Sequence, residues 1–148
     1  MSAGVAIRQS RLEDRAAWAP LWAGYLEFYE SDLPQRVTDT TWARFHDSSE
    51  PVIALVAEDD DGSLIGFAHL VFHRGTWAIG DFCYLEDLFV APEARGRGVA
   101  RALIEALYAL ADERGCERVY WLTHENNATA RALYDKLARH RGFIQYQR

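Results

Sequence analysis

Between Phe82 and Gly115 the chain changes character twice, and this stretch restricts the fold more than any other. Phe82–Val90 is a β-rich apolar run, and Ala91–Gly98 (Ala-Pro-Glu-Ala-Arg-Gly-Arg-Gly) reads as a loop. Val99–Arg114 is then a long amphipathic helix of good helix formers, with Gly115 as its C-cap. A strand, a glycine turn and a helix start in direct succession make a specific chemical object. The start of a helix has unpaired backbone N–H groups and roughly half a positive charge. Glycines let that backbone approach a ligand closely, so the junction suits a phosphate or pyrophosphate. Arg97 and Arg101 lie one helical turn apart, with Arg95 just ahead. Like charges at that spacing repel unless an anion or an acid compensates them. Glu105 could do so for Arg101, in which case the arginines are simply solvated.

The flanking segments place this unit in a sheet. Val5–Arg8 reads as a short strand, and Leu12 to about Tyr29 as a helix, since Leu12, Ala16, Ala19, Trp22, Leu26 and Tyr29 recur at three and four. Thr38–His46 is a second short helix with Thr38 or Asp39 available as cap. Pro51–Glu58 and Leu64–Phe72 are strands joined by the hairpin signal of residues 59–62, Asp-Asp-Asp-Gly, and Gly75 breaks the second. Arg118–Thr123 is a short strand, Asn127 an N-cap for a helix to about Arg139, and Gly142–Tyr146 a terminal strand. The expected order is β-α-α-β-β-β-α-β-α-β over a single domain, residues 1–148. That order predicts an α/β (mixed α+β) fold with a mixed central sheet and helices on both faces.

Charge and composition then remove several classes of function. A net charge of −6 argues against a nucleic-acid binder, which carries a basic surplus. No apolar run reaches membrane-spanning length and the first fifteen residues lack a signal pattern, so no membrane association is expected. Cys83 and Cys116 are two thiols, not a disulfide framework, so a reduced cytoplasmic setting is expected. Histidine spacing gives no metal site, because His69 and His73 lie in a strand-like run. Two familiar phosphate sites also fail. A P-loop needs Gly-Lys-Ser/Thr, and Lys136, far from the loop, is the chain's one lysine. A dinucleotide fingerprint needs a third glycine where Arg101 stands, and Glu117, the acid about twenty residues on, precedes the next strand.

The pair of segments Tyr84-Leu85-Glu86-Asp87-Leu88-Phe89-Val90 and Arg95-Gly96-Arg97-Gly98-Val99-Ala100 resembles the acetyl-CoA motif of the Gcn5-related N-acetyltransferase superfamily. That motif, Arg/Gln-x-x-Gly-x-Gly/Ala, is met by Arg95, Gly98 and Ala100. Asn127, Ala130 and Tyr134 resemble the family's Asn-x-x-Ala-x-x-x-Tyr segment, and the element order agrees over essentially the whole chain. The resemblance implies acetyl-CoA as co-substrate, a splay between the fourth and fifth strands, and pantetheine in the gap beside Leu88, Phe89 and Val90. It places the pyrophosphate on the amides of Gly96, Arg97, Gly98, Val99 and Ala100, after Arg95.

On a helix Asn127, Ala130 and Tyr134 share one face about 10 Å long. The resemblance gives Asn127 a hydrogen bond to pantetheine and makes Tyr134 the acid for the departing thiolate. A tyrosine near pKa 10 is adequate for that. It also makes Glu86 the base, with Asp87 as alternative. As strand neighbours these two point to opposite faces unless a bulge intervenes. Acidic and aromatic residues cluster near the end of the first helix. Among them Tyr25, Tyr29 and Glu30, together with Tyr84, are candidates to hold an ammonium group by charge and cation–π contact, or are an ordinary helix end. His69, His73 and Trp77 face the cleft or the core. The expected activity is transfer of an acetyl group to a primary amine. The alternatives are a CoA-binding module without transfer activity and an O-acetyltransferase. Relative to a polyamine/histone-type branch the final strand is short or missing, so a homodimer completing the acceptor wall is expected.

Overall fold

The computed structural model describes residues 4–148. Five strands form one sheet in sequence order: β1 (Ala6–Gln9), β2 (Val52–Glu58), β3 (Leu64–His73), β4 (Phe82–Val90) and β5 (Arg118–Tyr120). The first four pair antiparallel, and β5 joins β4 in parallel. Four α-helices accompany them: α1 (Arg15–Phe28), α2 (Gln35–Phe45), α3 (Val99–Glu113) and α4 (Ala128–Leu137). The expected mixed sheet is therefore present.

Successive residues of β3 show how the layers form. A Cβ added at Gly66 would lie 3.4 Å from Val99 and 3.5 Å from Leu103, so that position faces α3. The next side chain, Phe67, packs on Trp22 and Tyr25 of α1. Neighbours on a strand point to opposite faces, so α1 and α3 cover opposite sides of the sheet. The α3 side is aliphatic: Val99, Leu103, Ile104, Leu107 and Ala111 are buried at helical spacing. The α1 and α2 side is aromatic, centred on the fully buried Trp18, whose ring lies 5.8 Å from Trp22 and 4.6 Å from Trp42.

Three departures from the sequence reading stand out. The second helix starts at Gln35, directly after Pro34, so Thr38 and Asp39 lie inside it rather than capping it. Both side chains are used between helices instead: Trp22 Nε1 donates to Thr38 Oγ1 (3.1 Å), and Asp39 Oδ1 accepts from Arg15 (2.6 Å). The fifth strand stops at Tyr120, not Thr123, because β4 pairs with it only over Phe82–Tyr84. The terminal strand expected at Gly142–Tyr146 does not form. Residues 140–148 have no regular secondary structure, and Phe143, Ile144 and Tyr146 are 82%, 72% and 88% exposed. Apolar alternation can create a strand only where a free sheet edge is within reach.

Candidate active site

The early end of the β4–β5 ladder defines the site. Beyond Tyr84 and Tyr120 the two strands share no register, so from Leu85 to Val90 one edge of β4 is unpaired. An extended ligand can add to such an edge through main-chain hydrogen bonds. Leu88, Phe89 and Val90 lie on this stretch, Leu88 half-buried against the core.

Opposite this edge, pairing with β3 slips by one residue. His69 pairs with Asp87 and Leu70 with Leu85, which leaves Glu86 as an extra residue in a β-bulge. The bulge cancels the alternation at this point. Glu86 and Asp87 both line a pocket of about 160 Å³ roofed by Thr41, Arg44 and Phe45 of α2. The bulge that would place both acids on one side is thus present.

The two carboxylates differ in their surroundings. Asp87 Oδ2 accepts from Nδ1 of the buried His69 (2.8 Å). The other ring nitrogen, Nε2, accepts from the indole N–H of Trp18 (3.1 Å). An indole only donates, so the ring proton must reside on Nδ1, aimed at Asp87. Trp18, His69 and Asp87 therefore form a directed chain from core to site. Glu86 has no such partner among the described residues. Partial burial, then the adjacent Asp87 charge, hold its carboxyl above the ordinary range. Burial and the Asp87 carboxylate likewise push the phenol of Tyr25 well up, and that of Tyr29 up.

Tyr25, Tyr29, Glu86 and Asp87 thus share one neighbourhood, which Tyr84 joins. Its phenol is raised by burial and then by Glu86, and its ring stacks on Tyr120 at 4.9 Å. Glu30 does not join the cluster by any hydrogen bond or ion pair among the described residues. It is exposed just past α1, in the left-handed conformation (φ 51°). His73 bonds to the Tyr120 hydroxyl (2.6 Å), and Trp77 is 86% exposed.

At the start of α3, Gly96 and Gly98 have φ of 80° and 78°. Side chains at either position would meet nothing within 4 Å, so glycine is required there for conformation, not for room. Gly98 is the N-cap of α3, and among the described residues no side chain caps this end, which leaves the first amides open to an anion. The arginine side chains are already engaged. Arg97 makes two bonds to Asp59 (3.1 and 3.0 Å). Arg95 donates to the Val90 carbonyl (3.0 Å), and Arg101 lies 3.7 Å from Glu105. Any anion here meets backbone first.

Across the gap, Asn127 caps α4 through a bond from the Ala130 amide (3.3 Å), which leaves its side-chain N–H groups free. Tyr134 is half-buried, 5.3 Å from Trp121 and edge-on to it. Burial and then Tyr29 raise its pKa, so it stays a proton donor. It lines a larger cavity of about 930 Å³ along β5 and α4. Among the described residues no cluster of three metal-ligating side chains occurs, and no helix is long and apolar enough to cross a membrane.

Sequence reasoning did not find the Trp18–His69–Asp87 chain, nor Thr41 and Arg44 over the carboxylates. The partners of the chain are up to 69 positions apart and meet only through strand register. The one available signal was a polar residue, His69, in an otherwise apolar strand.

The sequence pattern of the Acetyltransferase (GNAT) family matches residues 17–138. A D-amino-acid N-acetyltransferase of Saccharomyces cerevisiae is 37% identical over 145 residues, covering 97% of this chain and 90% of that one. Among solved structures, a ribosomal-protein-alanine N-acetyltransferase of Brucella melitensis biovar Abortus superposes with a TM-score of 0.76 at 26% identity, over 97% of both chains. The aminoglycoside acetyltransferase AAC(6')-Iy, in complex with a CoA bisubstrate analogue, gives 0.84 at 22% identity over 97% of both chains, a likeness of fold. The chain belongs to the acetyltransferase (GNAT) family and is an N-acetyltransferase.

Proposed function

We propose that the chain moves the acetyl group of acetyl-CoA to a primary amine by direct attack in a ternary complex. The observation that carries this reading is the bulge at Glu86, which sets two carboxylates beside the unpaired edge of β4. Amides of Gly96 to Ala100, following Arg95, hold the pyrophosphate, and the edge at Leu88–Val90 pairs with pantetheine. Asn127 bonds to the pantetheine arm through its free N–H groups, with the small Ala130 beside it.

The amine nitrogen attacks the thioester carbonyl, and the developing oxyanion is met by a backbone N–H near Leu88. Glu86 takes the ammonium proton, directly or through water, and its raised pKa moves it closer to working pH as a base. Asp87 is the alternative base. As the C–S bond breaks, Tyr134 gives its proton to sulfur. Tyr25, Tyr29 and Tyr84 surround the acceptor's cationic head, and Glu30 adds negative charge at the entrance. The relatives' names give different acceptors: a D-amino acid, a ribosomal-protein alanine and an aminoglycoside.

The protein works as a cytoplasmic homodimer in this reading. The support is a sheet ending at β5, with exposed Trp77 and Phe143 lining the cavity along that strand, an apolar surface suited to burial against a second copy. The test is thiol release from acetyl-CoA against a panel of amino acids, polyamines, peptides and aminoglycosides. Amine-dependent release with an N-acetylated product is expected. Silence across the panel overturns the proposal.

A further inference from the structure

We infer that the acceptor is a free α-amino acid bound as a zwitterion, with Arg44 and Thr41 reading its carboxylate while Glu86 and Asp87 hold its ammonium group, an assignment resting on the acetyl transfer proposed for this site. The pocket between α2 and the sheet has charges of both signs on different walls. Thr41, Arg44 and Phe45 stand at helical spacing on α2 and form the roof. Val52, His69, Leu70 and Val71 form the floor, where Glu86 and Asp87 enter from β4.

The roof donors are available. Among the described residues neither the Arg44 guanidinium nor the Thr41 hydroxyl makes a hydrogen bond within the protein. The one ion pair of Arg44 is long, 3.8 Å from its Nε to Glu50. A guanidinium presents a fork of N–H donors that matches a carboxylate. Glu86 is likewise without a partner, whereas Asp87 is fixed by His69 at 2.8 Å. A molecule with a carboxylate and an ammonium group a few ångströms apart satisfies both walls together.

Other amines fit worse on charge. A polyamine brings only cations, which Arg44 repels. A peptide N-terminus lacks the free α-carboxylate for Arg44. Phe45 and the valines beside it leave an apolar wall for the amino-acid side chain.

The experiment compares kcat/KM for amino acids with their decarboxylated amines: phenylalanine of each hand against phenethylamine, and lysine against cadaverine. A charged hydrogen bond contributes about 1.5–3 kcal/mol, or roughly tenfold to a hundredfold. The half-exposed Arg44 places the expected acid-to-amine preference near tenfold. Arg44→Gln is expected to collapse that ratio to about twofold, chiefly through the KM of the amino acid, and Arg44→Lys to restore part of it. A merely structural arginine would change both substrates alike and leave the ratio unmoved. Equal use of acid and amine by the parent protein, or a ratio unmoved by Arg44→Gln, overturns the inference alone. No thiol release with any amine of either set overturns the transfer reading and this inference with it.

Discussion

Gly98→Ala isolates the anion site from the rest of the protein. Gly98 sits at φ 78° as the N-cap of α3, and an added methyl meets nothing within 4 Å. The cost of the substitution is therefore conformational, about 1–2 kcal/mol for an L-residue held left-handed. That strain must appear in one of two places. If the loop keeps its shape, the folded state loses about 1.5 kcal/mol. For 148 residues this lowers Tm by about 4–5 °C. If the loop relaxes, Tm holds and the cost moves to binding, because the amides must be re-formed around the diphosphate. CoA affinity then falls roughly tenfold. Calorimetric titration with CoA, paired with thermal unfolding, reads both. Acetyl-pantetheine, which lacks the diphosphate, serves as control: its KM is expected to move far less than that of acetyl-CoA. Unchanged Tm together with unchanged CoA affinity would refute the conformational reasoning. Equal losses for acetyl-CoA and acetyl-pantetheine would refute the placement of the diphosphate on this loop.

Other perturbations address the proton path and the support behind it. Tyr134→Phe is expected to lower kcat by about a hundredfold, with the KM for acetyl-CoA within twofold; steady-state kinetics check it. Glu86→Gln should remove the acidic limb of the kcat/KM profile, a limb lying above the ordinary carboxylate range because the Glu86 pKa is raised. A pKa raised by folding means that the protonated form is favoured in the folded state. Its stabilising share is complete below the unfolded pKa and is lost as pH rises through the folded one. Glu86→Gln should thus raise Tm at pH 8 and not at pH 4, as scanning calorimetry can show. His69→Phe removes the donor to Asp87 and should raise the acceptor KM about tenfold, whereas CoA affinity measured by titration stays within twofold. Arg8→Met strands Asp14, whose carboxyl is held down by its bonds from Arg8 (2.8 and 3.0 Å). That should cost roughly 2–3 kcal/mol in urea unfolding, a moderate loss because the pair keeps some solvent contact. Asp14 supplies stability above the ordinary carboxylate pKa and loses it as pH falls through its depressed value. The variant should therefore show less acid destabilisation than the parent.

What could be read ahead of the structure follows the range of the forces involved. The turn at Gly96–Gly98 and the helix behind it rest on local requirements: a left-handed conformation, a periodic apolar face, a C-cap. Each is written within a few neighbouring residues, and each was legible. The same holds for Asn127, whose bond to the Ala130 amide spans three positions. The second helix was misplaced by three residues at its start because Thr38 and Asp39 look like caps. Their side chains instead answer Trp22 and Arg15, which no local rule contains. The terminal segment failed for a related reason. Gly142–Tyr146 has strand composition, but a strand needs an edge, and β5 offers one of only 3 residues.

The bulge at Glu86 shows most clearly where local reasoning stops. Strict alternation puts Glu86 and Asp87 on opposite faces, so one of them would be lost to the acceptor side. In the sheet, one added residue between the pairs Leu70–Leu85 and His69–Asp87 turns both toward α2. Nothing in the Leu85–Asp87 segment announces this. The register is set from outside, by Phe67 and His69 packing on α1 aromatics and by the bond from His69 to Asp87. The residue that anchors the bulge is therefore not in the motif strand at all. If this is the cause, His69→Phe should loosen the register of β4 as well as the acceptor site. Faster amide exchange at Glu86 and Asp87, with Phe82–Tyr84 still protected, would mark the difference between a lost hydrogen bond and a lost strand.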